Sequence, residues 1–365
     1  GFEEQSADPN EPDGSAQTFG DGVEAGAEGC SYQDDTDHDG DGLSYNEGDC
    51  NDCHPGIHPG FFDLPGNGVD EDCSGTPDDG DAQCDDNLDI NASDPYDAAK
   101  AMGLCKKADP NKDEWGVVEA RYVQPDGTPA SVNLDVGILP KFGVNAPKAG
   151  KALLALATGY ARAPGDPGHK TGTGRTKGND HGAPAGYPKE FAGCPAGVTT
   201  GEPQDGIGLE LKIRVPKNAQ SFTYEQNFFT YEYSTFVCTQ WNDFFVTLLQ
   251  PKLPDLPDEN IAFDSLNNPI SVNNGLLQAC KPGTFKGKPF ACPLGTGPLQ
   301  GTRFENHGAT RWLTTTAPLE GGKEITLRFA IWDSGDGAYD STVLLDNFQW
   351  SVDPTGGPAT APAPK

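Results

Sequence analysis

Beyond residue 110 the apolar residues fall into short runs rich in Val, Ile, Phe and Tyr, punctuated by Gly, Pro and Asn. The runs cover 115–123, 152–157, 208–215, 221–233, 244–249, 270–272, 324–332 and 341–350. Many short strands joined by irregular loops predict a β-sandwich. One helix signal precedes them at 96–104, with Asp94-Pro95 as cap and first turn and Gly103 near its end. The expected fold class is therefore mainly β: a sandwich-like domain with a short helix near its start. Residues 30–89 break this pattern. They are loop-rich, acidic and dense in cysteine, with too few apolar side chains for a core, so disulfides and metal would have to hold them together. Residues 1–29 lack apolar periodicity and read as an acidic extended segment, disordered unless docked on something. Residues 353–365 read as a Pro/Ala-rich tail or linker. The expected organisation is thus 1–29, 30–89, 90–352 and 353–365.

Charge sharpens the division. Of 55 Asp and Glu in the 365 residues, 28 lie within residues 1–100, where the only basic residue is Lys100. Such a block repels nucleic acid and anionic lipid and calls for solvation, bound cations or a basic partner. The clearly basic stretch is a Gly/Pro-rich insertion at 159–197 carrying His169, Lys170, Arg175, Lys177, His181 and Lys189, which reads as a solvated surface loop. Ten cysteines suit an oxidising compartment, hence an extracellular or cell-surface location. No run approaches the roughly 20 apolar residues of a membrane span. No basic-then-apolar leader opens the chain either, which reads as already processed.

The most specific local pattern is Asp37-His38-Asp39-Gly40-Asp41-Gly42-Leu43-Ser44-Tyr45-Asn46-Glu47-Gly48-Asp49. Carboxylates at loop positions 1, 3 and 5, a glycine at 6 and the carbonyl at 7, here Leu43, can converge on one hard cation, as in an EF-hand calcium loop. Position 12 is Gly48, so Glu47 or Asp49 would have to close the sphere, and Asp35 offers a further carboxylate or another register. A second acidic turn holds Asp70 and Asp72 as ligands for another ion, with Glu71 solvated. A bridge from Cys73 to Cys50 or Cys53 would clamp the two turns. Cys50-x-x-Cys53 has no matching pair at zinc-ribbon spacing. Oxygen donors favour Ca2+, while His38, His54 and His58 leave copper or zinc as the lesser alternative.

Two resemblances follow from these motifs. The Asp-x-Asp-Gly-Asp-Gly run, then Gly48-Asp49-Cys50-Asn51-Asp52, Pro59-Gly60 and Gly68-Val69-Asp70-Glu71-Asp72-Cys73-Ser74-Gly75, resemble the metal-binding motif family named after the MopE surface proteins, over 34–75. That name implies copper, against the oxygen chemistry of these residues. Further on, the run 94–104, Leu154-Ala-Leu-Ala-Thr-Gly-Tyr-Ala-Arg162, Tyr231-Glu232-Tyr233 leading to Asn242-Asp243-Phe244-Phe245, Ile270-Ser-Val-Asn-Asn274 and 330–345 resemble the choice-of-anchor L domain, over about 90–352. This implies an extracellular β-rich domain with varied surface-attachment signals. The family usually has Ser before its Glu-Tyr pair and Pro after it; here they are Tyr231 and Ser234, and Cys194 with Cys238 looks like an added staple.

Polar residues interrupt the strand-like text at Glu232, Asn242, Asp243, Asp333, Asp336, Asp340 and Asp346. Glu232, Asp243, Asp333, Asp336 and Asp340 make a possible second metal region; the plainer reading is that they cap strands and loops. The remaining cysteines suggest Cys84–Cys105 and Cys280–Cys292, each flanking a compact segment. Nucleophile elbows, zinc-protease helices and phosphate loops are absent from the sequence, so no enzyme is expected. The expected role is a calcium-binding structural subunit of an extracellular fibre or surface assembly, its N-terminal segment docking on a like neighbour. A glycan-binding adhesin using Trp241, Trp312 or Trp332, if these are exposed rather than core residues, is the alternative.

Overall fold

The computed structural model describes residues 30–364 apart from 80–82, 113, 172–173, 179–180, 188 and 195–200. The acidic segment 1–29, with its expected disorder and docking, lies outside the described residues. Helix α1 spans Pro95–Ala101, with Asp94 accepting from the Tyr96 amide at 2.9 Å and Gly103 beyond its end at φ +98°. The strands are β1 Gly116–Val123, β2 Val136–Leu139, β3 Leu153–Ala157, β4 Pro203–Arg214, β5 Ser221–Thr230, β6 Phe244–Gln250, β7 Ile270–Ser271, β8 Gly283–Phe285, β9 Lys288–Phe290, β10 Gly308–Ala309, β11 Leu313–Pro318, β12 Glu324–Ser334, β13 Ser341–Ser351 and β14 Ala359–Pro362.

They form two antiparallel sheets and a small hairpin. One sheet runs β1-β4-β12-β6-β7; the other runs β14-β11-β5-β13-β3-β2, with β10 also on β5. The sheets face each other as a sandwich. Ile207, Leu209, Leu211 and Ile213 of β4 and Leu327, Phe329 and Ile331 of β12 bury one side against Tyr224, Phe228, Val343 and Leu345 of the opposite sheet. Tyr224 and Phe329 meet edge to face with centroids 5.2 Å apart. The outer faces are covered too, which is why these strands lack clean apolar–polar alternation. Phe191 lies over Phe244, Val246 and Trp332 on one side, and Phe142 and Phe304 cover Leu153, Phe229 and Leu344 on the other.

Three expectations are corrected here. The tail is not wholly a linker: Ala359–Pro362 pairs antiparallel with β11, Leu313 opposite Pro362, as an edge strand that tolerates prolines lacking an N–H. The basic insertion is not simply solvated. Lys177 pairs with Asp135 at 3.0 Å and Lys189 with Asp258, while the Arg175 amide donates to Asp340 at 2.8 Å. Trp332 is not a surface aromatic but 1 % exposed in the core, because its face of β12 is roofed by the loop bearing Tyr187 and Phe191.

All ten cysteines are paired: Cys30–Cys53, Cys50–Cys73, Cys84–Cys105, Cys194–Cys238 and Cys280–Cys292. The acidic region 30–79 has no regular element beyond the 3-10 turn Tyr45–Glu47. It is anchored by Phe62, whose ring joins the sandwich core, and whose amide and carbonyl both bond Asn218 at 3.0 and 2.9 Å. The Lys217 amide adds a bond to the Gly60 carbonyl at 2.9 Å. Phe62→Ala should cost about 3 kcal/mol in urea unfolding, whereas Phe62→Leu should cost no more than about 1.5 kcal/mol. Equal losses would show that the ring's volume is not what holds the acidic region to the sandwich.

Candidate metal centre

The acidic loop is built by side chains bonding their own backbone. Asp37 Oδ1 accepts from the Gly40 amide at 2.6 Å and Oδ2 from the Gly42 amide at 3.0 Å. Asp39 Oδ1 accepts from Asp41 and Asp41 Oδ1 from Leu43, at 3.2 and 2.8 Å. Each closes a short turn of the kind Asp favours, and Gly40 and Gly42, at φ +86° and +100°, supply the left-handed backbone between them. These bonds hold the Asp37 carboxyl below its ordinary range. They also leave one oxygen of each of Asp39 and Asp41 turned inward.

Two more carboxylates meet them. Asp49 and Asp52 are 1 % and 0 % exposed; Asp49 Oδ1 accepts from the Asn51 amide at 2.8 Å and Asp52 Oδ1 from the His38 amide at 2.7 Å. Their other oxygens, with Asp39 Oδ2 and Asp41 Oδ2, are buried and without a hydrogen-bond partner. Ligand atoms of Asp37, Asp39 and Asp41, and again of Asp39, Asp49 and Asp52, lie within 4.8 Å of one another. Burial, then the charges of Asp41, Asp39 and Asp52, push the Asp49 carboxyl upward. The buried His58 donates from Nδ1 to the Pro59 carbonyl at 2.8 Å, and its Nε2 stands 3.9 Å from Asp41 Oδ2, beyond hydrogen-bond distance. Four inward oxygens with no protein cation among them fit a hard divalent ion: each is an acceptor, and the set offers nothing to donate to it.

The expected ligands are only partly brought together. Asp37, Asp39 and Asp41 form one group, and Asp49 joins Asp39 and Asp52 in a second. Leu43 follows them in the loop, its amide held by Asp41. Glu47 lies outside both groups: it is exposed and its Oε2 accepts from the Ser44 amide and hydroxyl at 3.0 and 2.8 Å, capping the 3-10 turn. Asp35 is exposed, accepting from Asn46 Nδ2 at 2.8 Å. Asp52, in the stretch compared with the MopE motif but not chosen as a ligand, is the residue sequence reasoning missed. Its signal was its place between Cys50 and Cys53, whose bridges run to Cys73 and Cys30 and carry it over the loop.

The second acidic turn is differently arranged. Asp63, Asp72 and Asp79 place ligand atoms within 4.8 Å. Both oxygens of Asp63 already accept backbone bonds, from the Asp72 and Asp79 amides at 3.1 Å each; Asp72 accepts from the Ser74 amide and Asp79 from the Ser74 hydroxyl, both at 2.9 Å, and Lys106 sits 3.6 Å from Asp72. Asp70 is not part of this group; it accepts from the Ser74 and Gly75 amides and shapes the turn. Glu71 is buried rather than solvated, accepting from the Leu64 amide and the Asn67 side chain.

In the sandwich, Glu232, Asp243, Asp333 and Asp340 are all at most 2 % exposed, at one end of the sheets. Asp340 is spoken for: Oδ2 pairs with Arg303 at 3.1 Å and Oδ1 accepts from the Arg175 amide. A Cβ on Gly159 would stand 1.7 Å from Asp340 Oδ2, so only glycine permits this approach. Asp336 stays at the rim, accepting from the Ala338 amide at 3.2 Å. Burial, then the charges of Asp333 and Asp336, raise the Glu232 carboxyl to about 9, and burial likewise holds Asp243 and Asp333 high. Two histidines of the sandwich are held by backbone groups. His181 donates to the Gly182 carbonyl and accepts from the Gly206 amide, both at 2.9 Å, and His307 donates to the Tyr231 carbonyl at 3.0 Å.

Among the described residues, no helix is long and apolar enough to cross a membrane. No curated protein matches the chain. Residues 49–79 match the MopE family, described as "Putative metal-binding motif"; the Asp37–Asp41 carboxylates precede that stretch. Residues 154–349, more than half of the chain and including Glu232, Asp243, Asp333 and Asp340, match the choice-of-anchor L domain, and the chain belongs to that family.

Proposed function

We propose that this is a secreted or cell-surface structural protein that binds calcium through its acidic N-terminal loop and serves as a subunit of an extracellular fibre or surface assembly. One observation carries the calcium reading: the buried, unpartnered oxygens of Asp39, Asp41, Asp49 and Asp52. All four are hard carboxylate donors with Asp37 beside them and a single imidazole at the margin, a set suited to Ca2+ rather than to copper or zinc. Leu43 would contribute its carbonyl. Family membership and five disulfides support an extracellular setting. The chain is read as non-catalytic, its buried polar groups serving structure and cation binding. Because the apo loop gathers like charges, ion binding and order in this region are one equilibrium.

The alternative is a calcium-dependent, glycan-binding adhesin, for which a second observation speaks. A cleft of about 420 Å³ lies between the acidic region and the sandwich, walled by Phe62, Asp63, Trp115, Asp346, Phe348 and Trp350. The indole Nε1 groups of Trp115 and Trp350 have no partner. Apolar walls with a few oriented polar groups suit a sugar, and a metal-ordered loop would complete one wall.

Calcium at 100 times its dissociation constant should stabilise the protein by about 2.7 kcal/mol per ion. Asp39→Asn combined with Asp49→Asn should lose the loop's share in a thermal or urea titration. An unchanged calcium increment removes this loop as the site, and stabilisation by copper or zinc but not calcium replaces the ion. Electron microscopy of the purified protein should show filaments or lattices in calcium that fray on chelation; monomers in both conditions would refute the assembly role and favour the adhesin.

A further inference from the structure

A second group of carboxylates lies between the sheets, far along the chain from the acidic loop. The last paired residues of two neighbouring strands are Trp332 of β12 and Phe244 of β6, so Asp333 and Asp243 adjoin that pair at the same end of one sheet. Across the sandwich, Thr230 of β5 pairs with Ser341 of β13, and Glu232 leaves the sheet two residues later. The Ser341 hydroxyl donates to Asp243 Oδ2 at 2.5 Å, joining the two sheets at this point.

These three carboxylates are buried with almost nothing to satisfy them. Both oxygens of Asp333 and Oε2 of Glu232 have no hydrogen-bond partner, and no ion pair involves any of the three among the described residues. Arg303 and Lys177, basic side chains of this end, are held by Asp340 and Asp135. Asn242, beside Asp243 in the chain, is 0 % exposed with both atoms of its amide unpartnered.

We propose that a second divalent cation of the hard, oxygen-seeking class, calcium under extracellular conditions, is bound between the sheets by Glu232, Asp243 and Asp333, with the Asn242 amide oxygen as a further donor. The rival arrangement is one proton shared by Asp243 and Asp333. That would satisfy those two side chains, yet it leaves Glu232 Oε2 and the Asn242 amide oxygen buried without a partner, at a cost of about 1–3 kcal/mol per group. Calcium takes six to eight oxygens and would draw these side chains together, since the ligand atoms of Glu232, Asp243 and Asp333 are not all within 4.8 Å of one another without it. The two cations would do different work: the loop ion orders the acidic region, whereas this ion pins one sheet to the other.

Calcium bound per full-length chain is counted by equilibrium dialysis after chelation and desalting, in the wild type, in Asp39→Asn/Asp49→Asn, and in that double variant carrying Asp333→Asn as well. The double variant should retain a calcium ion and the triple variant should lose it. Asp333→Asn alone, measured in chelator, should melt at or above the wild type because it removes one of three like charges, which also shows that it folds. In calcium it should melt below the wild type. The proposal is overturned if the double variant binds no calcium while folded, or if Asp333→Asn leaves both the count and the calcium increment unchanged, as the shared proton requires. Failure of the loop site has a different signature: Asp333→Asn then lowers the wild-type count while the loop substitutions do not.

Discussion

A carboxylate taken out of water must find a donor, a proton or a cation, because an unpaired buried charge costs more than most folds can offset. This constraint shapes the molecule at both ends. Where basic side chains are within reach, they are used: Arg121 and Arg328 converge on Glu210, Arg303 on Asp340 and Lys177 on Asp135. Where backbone amides are near, they serve, as at Asp63, Asp70 and Asp85. The inward oxygens of Asp39, Asp41, Asp49 and Asp52 in the loop, and of Glu232 and Asp333 at the sheet ends, have neither.

The sandwich supplies the rigid frame that makes such places possible. Its sheets bury apolar side chains on inner and outer faces alike, so strand ends are positioned from both sides and cannot relax away from one another. The acidic region has no core of its own and borrows one through Phe62, while Cys30–Cys53 closes the stretch that holds the acidic loop and Cys50–Cys73 joins it to the turn that follows. Geometry in that region is therefore set by covalent bridges, by Asp-to-amide turns and by one ring in a neighbouring core. An ion would close the last gap in this arrangement. The loss of any one support should be felt at the others, since the loop's carboxylates repel unless all hold them in register.

Much of this was legible in the chain. Eight apolar runs marked strands that the structure contains, and Asp94-Pro95 with Gly103 marked the helix, because both signals are local consequences of backbone and side-chain shape. Two of the strands that escaped notice, β11 and β14, have weak local signals. β11 buries Leu313, Thr315 and Ala317 in alternation, but its threonines hide the pattern, and β14 is a Pro/Ala stretch whose pairing depends on an available edge. The Asp37, Asp39 and Asp41 repeat was visible for the same local reason that the helix was: spacing of one alternate residue lets neighbouring turns share a centre.

Sequence by itself determined the mainly β architecture, the acidic and cysteine-rich character of the N-terminal region, the loop carboxylates and the family. Only tertiary structure decided which acids remain unpaired. Glu47 and Asp340 look as able to bind a cation as Asp52 and Asp333, yet Glu47 is bonded to Ser44 and Asp340 to Arg303, while Asp52 Oδ2 and both oxygens of Asp333 face inward without a partner. The physical reason is that a carboxylate's chemistry depends on what stands within about 3 Å of each oxygen. In this chain the neighbours of Asp333, Asp340 and Asp52 come from residues brought together by sheet pairing and disulfides, not by closeness in sequence.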